Sequence, residues 1–367
     1  MTGGLDAERI LMLGAESFDE LPGGLNRYFA ELMGSLAGRG LLVKGVVCGP
    51  DEPRLNIKGA GSFGRWLPLR LVAFKHAALK QGQGATLVDA HFALYSLPIF
   101  MTRLAGLPLV VHFQGPWAQE SAAENHGILR IGAKKLAETA VYRRARHCIV
   151  LSTAFKRILI EDYRVPPWRI SVIPPGVNLE QFSPGGKRAS RDLLRIPQDT
   201  WVALAVRRLV PRTGVEVLLR AWAEFSRHTK TDSLLVIAGE GPQAAALKRL
   251  ADELGISNHV RFVGRVAEDQ LADYYRSANV SVVPSIGLEG FGLAALESLA
   301  CGTPVIASDS GGLPEALGSM GEGLIVESND AQALFKALQK AAEQPGALPG
   351  AAKCRTHAEN FSWTGVA

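Results

Sequence analysis

Two carboxylates flank a glycine-rich turn in residues 287–308, GLEGFGLAALESLACGTPVIAS. Glu289 stands directly before Gly290, Phe291 and Gly292, and Glu297 follows eight positions later among small and apolar residues. Glycines let a backbone turn sharply and approach a ligand closely. A helix that begins at Leu293 would present unpaired N–H groups and the positive end of its dipole. The stretch therefore predicts a site for an anion such as a diphosphate.

The two carboxylates suit ligand hydroxyl groups. Glu297, about one turn into the helix, is placed to accept hydrogen bonds from a diol such as a ribose, and Glu289 from a sugar hydroxyl. The structural alternative is an amphipathic helix whose Glu297 points to solvent. Its neighbours at helical spacing are Leu293, Ala294 and the pair 300–301, which are apolar and argue against a solvated face.

The elements that would position these groups alternate along the chain. Short β-branched runs at residues 9–14, 42–48, 86–91, 107–113 and 147–152 are typical of strands, and residues 26–39 have the apolar periodicity of a helix. Alternation of this kind predicts βαβ units with a parallel sheet and helices on both faces.

The pattern breaks at a polar, Gly-containing segment near residues 184–188 and then restarts. Strands are predicted at 201–206, 234–238, 260–263, 280–283 and 304–307, and helices at 215–228 and 293–301. We therefore predict an α/β fold with two Rossmann-like, doubly wound domains, at 1–184 and 199–350, joined by a linker at 185–198. A ligand cleft is expected where the carboxyl ends of the two sets of strands face each other. Residues 345–353 resemble a loop, and residues 351–367 include the start of a C-terminal helix, which leaves open that this helix is truncated.

Composition limits the classes of protein. The chain has 367 residues, of which 47% are hydrophobic and 20% charged, as in a globular protein large enough for two cores. No apolar run reaches the roughly 18 residues of a membrane span, and the start lacks the features of a secretory signal. The four cysteines, Cys48, Cys148, Cys301 and Cys354, have no metal-ligand spacing. Cys48 and Cys148 lie in strand-like apolar runs, so buried free thiols are expected. A cytoplasmic protein is the resulting expectation.

The positive charge is concentrated in the first half of the chain. Residues 1–185 carry 21 Lys and Arg against 15 Asp and Glu, a net charge of +6, and the remainder carries 19 against 20, a net charge of −1. Sampling explains an excess of this size equally well. Basic residues between Arg54 and Lys80 nevertheless alternate with aromatic and apolar ones, which leaves open a peripheral contact with the inner face of an anionic membrane. No nucleic-acid-binding module is present, so nucleic acid is not an expected partner.

Residues 287–308 resemble the signature of the retaining, GT-B-fold glycosyltransferases of the family-4 type, whose E-x7-E motif matches Glu289 and Glu297. Other segments resemble the family in the same order. They are PGGLNRY at 22–28, VDAHF at 88–92, VVH at 110–112, IPPGVN at 173–178, RLVP at 208–211, GEGP at 239–242 and FVG at 262–264. The resemblance covers nearly the whole chain.

The resemblance implies roles for residues of the second half. Glu297 would bind the ribose hydroxyls of a nucleotide-sugar, and Glu289 the hydroxyls of the transferred sugar. Backbone N–H groups of Gly290, Phe291, Gly292 and Leu293 would hold sugar and diphosphate. Arg208 would neutralise the leaving diphosphate, and Gly264 with Arg265 would lie against the base.

In the first half, the resemblance places Gly23 and Gly24 near the diphosphate and His112 near the transferred sugar. The catalytic set implied is Arg208, Glu289 and His112. The acceptor would contact residues 21–27, 54–80 or 114–127, because the N-terminal domain of such folds faces it.

One position departs from the family pattern. The family usually has a lysine a few residues after its arginine, ahead of a glycine, and this chain has Thr213 there. Threonine cannot supply the positive charge. Arg207 or Arg212 is the expected substitute, because a guanidinium binds phosphate bidentately.

The implied reaction is hexosyl transfer from a nucleotide-sugar to a saccharide or lipid-linked acceptor with retention, in polysaccharide or glycoconjugate biosynthesis. A UDP-sugar is favoured, with GDP- and ADP-sugars left open. No DxD-like carboxylate pair stands out to hold Mg²⁺, so no metal and no cofactor is expected. Charge stabilisation by Arg208 and the helix terminus would replace the metal.

Several other classes are excluded or remain as rivals. The GxGxxG of a dehydrogenase, the GxxxxGK[ST] of a P-loop kinase and the GxSxG of an α/β-hydrolase are all absent from the expected places. A sugar-nucleotide epimerase of the same fold is the nearest enzymatic rival. The other rival is a catalytically silent relative that acts as a partner subunit or membrane adaptor, for which Thr213 is the argument.

Overall fold

The chain folds as two units in the computed structural model, which describes residues 8–366 apart from 19, 21, 22, 63 and 124–126. Unit 1 comprises Met1–Gly176 and Trp363–Ala367, and unit 2 comprises Val177–Ser362. Of the predicted acceptor segments, residues 21, 22, 63 and 124–126 lie outside the described part. None of the described helices is both long and apolar enough to cross a bilayer.

Unit 1 contains a parallel sheet of seven strands in the order β3-β2-β1-β4-β5-β6-β7. The strands are β1 (Arg9–Glu16), β2 (Leu42–Cys48), β3 (Ile57–Gly59), β4 (Leu87–Ala90), β5 (Leu109–Phe113), β6 (His147–Val150) and β7 (Ile170–Val172). Its helices are α1 (Gly24–Gly38), α2 (Leu67–Gln81), α3 (Ala93–Ser96), α4 (Trp117–Ala123), α5 (Ile128–Arg144), α6 (Thr153–Glu161) and, at the end of the chain, Trp363–Val366.

The strand order places the unit 1 helices on opposite faces. The chain moves from β1 to β2 in one direction, and from β3 to β4, β4 to β5, β5 to β6 and β6 to β7 in the other. Crossovers between parallel strands are right-handed. Helix α1 therefore lies on one face, and α2, α3, α5 and α6 lie on the other.

Unit 2 contains six parallel strands in the order β10-β9-β8-β11-β12-β13. They are β8 (Trp201–Val206), β9 (Ser233–Ala238), β10 (Val260–Gly264), β11 (Val280–Val283), β12 (Val305–Ser308) and β13 (Ile325–Val326). The helices are α7 (Lys187–Leu194), α8 (Val215–His228), α9 (Ala244–Glu253), α10 (Leu271–Ser277), α11 (Leu293–Ala300), α12 (Leu313–Leu317), α13 (Ala331–Glu343) and α14 (Ala351–Glu359).

Hydrophobic burial explains why these runs form strands. Every residue of β11 and β12 is buried, as expected for parallel strands covered by helices on both faces. Helix α8 buries one stripe against this sheet, and its Trp222 stacks on Trp201 of β8 with ring centroids 6.1 Å apart. A fully buried large apolar side chain contributes about 1.5–3 kcal/mol, so this packing fixes the strands whose ends carry the site.

The predicted fold class is confirmed, and most predicted elements coincide with observed ones. Two segments differ. The units divide between Gly176 and Val177, and the predicted linker at 185–198 contains α7, because Arg191 of that helix is buried and donates to Ser277 O at 2.9 Å and to Asn279 Oδ1 at 2.8 Å. A polar sequence held by hydrogen bonds looks like a linker when only apolar periodicity is considered.

The second difference is at the C-terminal side. Residues 351–353 were expected in a loop, but they open α14, which packs against α11 and buries Cys354 and Ala358. Cys48 and Cys148 are free and buried, as expected, and so are Cys301 and Cys354.

Candidate active site

The carboxyl ends of β8 and β11 are the topological switch point of unit 2. These strands are neighbours, and the chain leaves β8 toward β9 on one side and returns to β11 on the other. Ligands of open α/β sheets bind in the crevice that such a reversal creates. The loop after β8 carries Arg207 and Arg208, and the loop after β11 carries Glu289. The candidate residues of unit 2 therefore lie at the place where the fold provides a crevice.

Glu289 is held by an ion pair. Arg207 Nη2 donates to its Oε2 at 2.6 Å, and Ser285 Oγ donates to the same oxygen at 2.8 Å. The side chains of Arg207 and Glu289 are only 8% and 14% exposed. Burial opposes ionisation of Glu289, but the charge and hydrogen bonds of Arg207 and the hydroxyl of Ser285 outweigh it, so the pKa of this carboxyl lies below its usual value. Glu289 is thus an ionised acceptor at neutral pH.

Arg207 has one further donor at this place. Its Nε is buried and has no hydrogen-bond partner among the described residues. An unmade hydrogen bond of a buried donor costs about 1–3 kcal/mol, and more when the group is charged. Such a group suits an acceptor atom of a ligand. The sequence pointed to Arg207 only as a substitute for the absent lysine, and its pairing with Glu289 had no sequence signal.

The loop between β11 and α11 has a tightly determined backbone. Leu288 has φ +54°, and Gly292, the residue before α11, has φ +99°. A Cβ added to Gly292 would lie 2.5 Å from Leu313 Cδ2. The N–H groups of the first helical turn have no partner within the helix, which gives this terminus a capacity for anions. Gly290, Phe291 and Gly292 lead directly into this terminus, and Leu293 is the first residue of the helix.

Glu297 is buried, at 4% exposure, so the solvated alternative for this residue is wrong. Tyr275 from α10 donates its hydroxyl to Glu297 Oε2 at 2.8 Å. A buried carboxyl group that accepts a phenolic hydrogen bond has a fixed orientation. Tyr275 had no signal in the sequence, since nothing in the α10 pattern distinguishes it from a core tyrosine.

Thr213 supports the turn after β8 instead of offering a charge. It is 2% exposed, and its Oγ1 donates to Arg208 O and to Val210 O, both at 2.8 Å. Arg208 is exposed, and Arg212 is half-buried and contributes to the low pKa of Glu289. The cationic groups that follow β8 are therefore Arg207, Arg208 and Arg212.

Gly264 and Arg265 follow β10 and belong to the same edge of the sheet. Gly264 O accepts a hydrogen bond from Gly239 N at 2.7 Å, and Gly264 has φ +69°. Arg265 is exposed. Because β10 is two strands away from β8, these residues border the switch point at some distance from the ion pair.

Unit 1 contains a second polar cluster, at the ends of β4 and β5. His112 Nε2 lies 3.3 Å from Asp89 Oδ1, and His91 Nε2 lies 3.3 Å from Asp89 Oδ2. Tyr28 Oη of α1 lies 3.0 Å from His112 Nδ1. Both ring nitrogens of His112 therefore have a polar neighbour within unit 1. The sequence singled out His112. The signal for Asp89 and His91 was that they stand at the end of a predicted strand, as His112 does, and the two strands prove to be adjacent.

Burial controls the charges of this cluster. It lowers the pKa of His91 to about 4, with repulsion from His112 adding to the effect. It opposes ionisation of Asp89, but attraction to His112 and His91 is stronger, and the pKa of Asp89 lies below its usual range. Burial also raises the pKa of Tyr28, with a further contribution from Asp89. Asp89 is thus a buried carboxylate beside a neutral His91.

Asp89, His91 and His112 are close enough to be tested as metal ligands, since one ligand atom of each lies within 4.8 Å of the others. The imidazoles are stacked, with centroids 4.3 Å apart and planes 8° from parallel. A zinc ion needs lone pairs that converge at about 2.0–2.2 Å. Parallel rings that each address one oxygen of the same carboxylate do not converge in this way, so the residues do not fit a metal.

Gly23 and Gly24 lie at the start of α1. Gly23 is the residue before the helix, with φ −179°, and its carbonyl accepts from Arg27 N at 2.9 Å. Both glycines are exposed, and no atom lies within 4 Å of the place where a Cβ of Gly23 would be. A cavity of about 520 Å³ in unit 1 is lined instead by Arg9 and Leu42, the first residues of β1 and β2. It lies at the amino ends of the strands, where open α/β sheets do not bind their substrates.

Both halves of the chain resemble known protein families. Residues 22–181 match the family described as Glycosyltransferase Family 4, and residues 186–361 match the family described as Glycosyl transferases group 1. A D-inositol 3-phosphate glycosyltransferase of Rhodococcus opacus is 34% identical over 342 residues, covering 89% of the chain and 74% of the relative. The chain belongs to the GT-B glycosyltransferases. A relative of the same description from Streptomyces scabiei is 32% identical and covers 93% of the chain, with 83% of its own length.

Two solved structures share this fold. Sucrose-phosphate synthase from Thermosynechococcus elongatus has a TM-score of 0.82 and 26% identity, covering 98% of the chain and 96% of that protein. The Anabaena protein HepE, solved with UDP and glucose, has a TM-score of 0.79 at 18% identity, covering 98% and 97%. At that identity HepE shows the fold alone.

Proposed function

We propose that the chain transfers a hexosyl group from a nucleoside diphosphate sugar to a hydroxyl of a saccharide or lipid-linked saccharide, with retention of anomeric configuration. A UDP-sugar is the first candidate donor, and GDP- and ADP-sugars are alternatives. The observation that carries the proposal is the Arg207–Glu289–Ser285 arrangement at the switch point of unit 2, beside the first turn of α11. Retention is supported by the E-x7-E resemblance of Glu289 and Glu297.

The diphosphate meets positive charge on two sides. The amino end of α11 supplies N–H groups and the positive end of a helix dipole. Arg208 is exposed, and Arg207 has a buried Nε without a partner among the described residues. A phosphate oxygen at Nε would satisfy this donor, while Nη2 keeps its bond to Glu289. Arg207 thereby takes the place of the lysine that Thr213 replaces.

Glu289 binds hydroxyl groups of the transferred sugar. Its low pKa keeps it ionised, so it accepts hydrogen bonds and does not donate them. Arg207 and Ser285 fix one carboxylate oxygen, which orients the group before a sugar arrives. Preorganised acceptors lose little free energy to reorganisation when the transition state forms.

Glu297 binds the ribose hydroxyls of the donor. Its burial strengthens any hydrogen bond it makes, because the surroundings are poor in water. The hydroxyl of Tyr275 holds the carboxylate in one orientation. Gly264 and Arg265, at the end of β10 in the same sheet, are the proposed contacts of the base.

The chemical step breaks the bond between the anomeric carbon and the diphosphate oxygen. A new bond forms between that carbon and the acceptor oxygen, and the acceptor proton goes to the departing phosphate. Negative charge grows on the leaving group and positive charge on the sugar. Arg207, Arg208 and the α11 terminus stabilise the negative charge on the leaving group. One such preorganised donor lowers the barrier by about 2.7–4 kcal/mol.

The residues of unit 1 add contacts that remain predictions. Exposed N–H groups of Gly23 and Gly24 suit the diphosphate. His112 is proposed to contact the transferred sugar, and for this its ring must turn away from Asp89 or from Tyr28, the polar neighbours of its two nitrogens. No metal or cofactor is part of the proposal, since the charge on the leaving group is met by arginines.

Calorimetry with UDP-, GDP- and ADP-sugars in EDTA tests the donor site. The wild type is compared with Glu297→Gln, which keeps shape but removes charge, and with Glu253→Gln, an exposed position of α9 with the same change. We expect one nucleotide-sugar to bind, the first variant to lose at least tenfold in affinity, and the second to bind normally. Binding that needs Mg²⁺, or is equal in all three proteins, contradicts the proposed site.

Turnover distinguishes the enzyme from a silent relative. The donor that binds is incubated with an acceptor panel that includes D-inositol 3-phosphate, monosaccharides and lipid-linked saccharides, and the anomeric configuration of the product is read by NMR. An α-linked product from an α-linked donor supports retention. A β-linked product contradicts it, an epimerised donor indicates the epimerase, and tight donor binding without any product supports the silent relative.

A further inference from the structure

Exposed apolar side chains are concentrated on one part of unit 1. Among the described residues, the exposed large apolar side chains of this part are Trp66, Leu67, Leu69, Val72, Met101, Ile128, Leu129 and Leu136. They belong to α2 with the residue before it, to α5, and to the turn Leu97–Met101. The corresponding side chains elsewhere are Leu42, Trp168, Leu193 and Ile286, which do not share an element. Clustered apolar exposure of this kind marks an interaction surface.

The exposed side chains follow one stripe on each helix. On α5, Leu129, Ala133, Leu136 and Ala140 are exposed at intervals of three or four residues, and Leu129 and Leu136 are 90% and 73% exposed. On α2, Trp66, Leu69 and Val72 follow the same rule. Residues at this spacing lie on one side of a helix. Each helix therefore turns an apolar side outward, where a globular protein normally has charged residues.

The two stripes lie on the same face of the sheet and run in the same direction. Both helices connect parallel strands and so begin at the carboxyl end of the sheet. Their far ends meet the turn Arg103–Gly106, where Arg103 donates to Leu79 O of α2 and Arg144 of α5 donates to Ala105 O, each at 2.8 Å. Their apolar halves are thus both near the carboxyl end. We call these outward sides together the α2–α5 face.

The charge of this face is positive. The two helices contain eight basic residues, three in α2 and five in α5, and one acidic residue, Glu138, which is 0% exposed. Between Glu52 and Glu120 the chain has a single acidic residue, Asp89, which is also buried. The exposed basic residues at the face are Arg65, Lys80, Arg130, Arg143 and Arg144. No exposed acidic side chain of either helix competes with an anionic partner.

We infer that unit 1 docks on an anionic lipid bilayer through the α2–α5 face. An apolar stripe inserts at the boundary of headgroups and acyl chains, and basic residues beside it bind lipid phosphates. The positive charge argues for this occupant over a second copy of the chain, because two such faces would repel each other. The inference goes beyond the proposed function, which requires no membrane.

The inferred docking also bears on the acceptor. The apolar halves of α2 and α5 lie toward the carboxyl end of the unit 1 sheet, the same end at which β4 and β5 place Asp89, His91 and His112. A bilayer at this end would bring lipid-linked hydroxyls toward that edge. This step rests on the proposed function, whereas the docking itself does not.

Flotation of the full chain with vesicles tests the docking. Vesicles of phosphatidylcholine alone are compared with vesicles that contain phosphatidylglycerol, at low and at physiological salt. We expect binding to the second kind, weakened by salt because screening reduces the attraction. Arg65→Gln with Arg130→Gln should lower the affinity about 25-fold, since one basic residue near such a surface contributes about fivefold.

The apolar contribution has its own variant and control. Leu129→Glu with Leu136→Glu should abolish flotation, and both positions are exposed, so folding should be unaffected. Leu193→Glu on α7 of unit 2, an equally solvent-facing leucine at 63% exposure, is the matched control and should float as the wild type does. Calorimetry of UDP-sugar binding in solution is run on all variants, and unchanged binding separates this test from the proposed function.

Three results would overturn the inference. The wild type could fail to float with anionic vesicles at low salt. The leucine variants of α5 could float as well as Leu193→Glu does. Light scattering could show a wild-type dimer that Leu129→Glu with Leu136→Glu converts to monomers without loss of vesicle binding, in which case the face is an interface between copies of the chain.

Discussion

Removing Arg207 should destabilise unit 2 far more than removing an exposed arginine of the same unit. The Arg207–Glu289 pair is 2.6 Å long with side chains 8% and 14% exposed. Arg207→Met keeps much of the side-chain volume and leaves Glu289 buried, with the hydroxyl of Ser285 still donating to it. Loss of one partner of a buried ion pair costs about 3–5 kcal/mol, chiefly because a charge stays buried without compensation.

The double variant separates this cost from simple loss of packing. Glu289→Gln alone should cost about 1.5–3 kcal/mol, because Arg207 keeps its charge and loses the opposite charge that compensates it, although the amide oxygen can still accept its hydrogen bond. In Arg207→Met with Glu289→Gln neither charge remains, so the double variant should be more stable than the sum of the two predicts. A coupling of about 2 kcal/mol is expected for residues in direct contact.

Hydrogen exchange measured on peptides of β8 and β11 gives the opening free energy of unit 2 by itself. The matched control is Arg220 with Glu216, a pair at 2.8 Å on α8 of the same unit whose side chains are 52% and 53% exposed. Exposed pairs contribute about 0–1 kcal/mol. The reasoning is refuted if Arg207→Met costs no more than Arg220→Met, or if the buried pair shows no coupling.

Three further predictions rest on other contacts. Tyr275→Phe removes the hydroxyl that holds buried Glu297, and calorimetry should show a loss of about 1–3 kcal/mol in UDP-sugar binding or in stability; an unchanged variant would mean that the hydroxyl is dispensable. Gly292→Ala should lower stability in thermal unfolding by at least 1–3 kcal/mol, because φ is +99° and space for a Cβ is lacking. Gly287→Ala, where no atom lies within 4 Å of the place of the new Cβ, should be nearly neutral in the same measurement. The pKa of His91 is lowered to about 4, so its neutral form contributes stability above the unfolded pKa of about 6.5, and this contribution, up to about 3 kcal/mol, should be lost as pH falls from 6.5 toward 4. Hydrogen exchange of β4 should show that the opening free energy of His91→Gln depends less on pH than that of the wild type. An equal pH dependence in both proteins would contradict the assignment.

The sequence predicted the strands that carry the site because they are buried on both faces. Strand β8 is apolar throughout, and β11 and β12 are apolar apart from Ser281 and Ser308; the observed bounds of the three strands agree with the predicted ones within one residue. Helix α7 escaped prediction, since Arg191 is buried through hydrogen bonds that no periodicity reveals. Composition thus identifies elements that are stabilised by apolar burial and misses those that are stabilised by polar contacts.

The candidate site divides in the same way. Burial of Glu297 could be argued from its apolar neighbours at helical spacing, and the turn at Gly292 from its glycine. The partners of the carboxylates could not be found, because Arg207 reaches Glu289 from the loop after β8 and Tyr275 reaches Glu297 from α10, and both are distant in sequence from the carboxylates. A single sequence places a group on its own element, and only the fold shows which side chain comes to meet it.

In the proposed donor site, the pairing of Arg207 would account for the absence of a lysine at the position of Thr213. A lysine carries one compact charge, which would pair mainly with a single anionic group, either a carboxylate or a phosphate. A guanidinium presents several N–H groups in a planar fork, so Nη2 can hold Glu289 while Nε, buried and without a partner among the described residues, remains for a phosphate oxygen. One side chain then connects the sugar-binding carboxylate to the leaving group. The same cation would then orient Glu289 and stabilise the negative charge that grows on the phosphate. A lysine at position 207 should not make both contacts at once, so we expect Arg207→Lys to lose one of them.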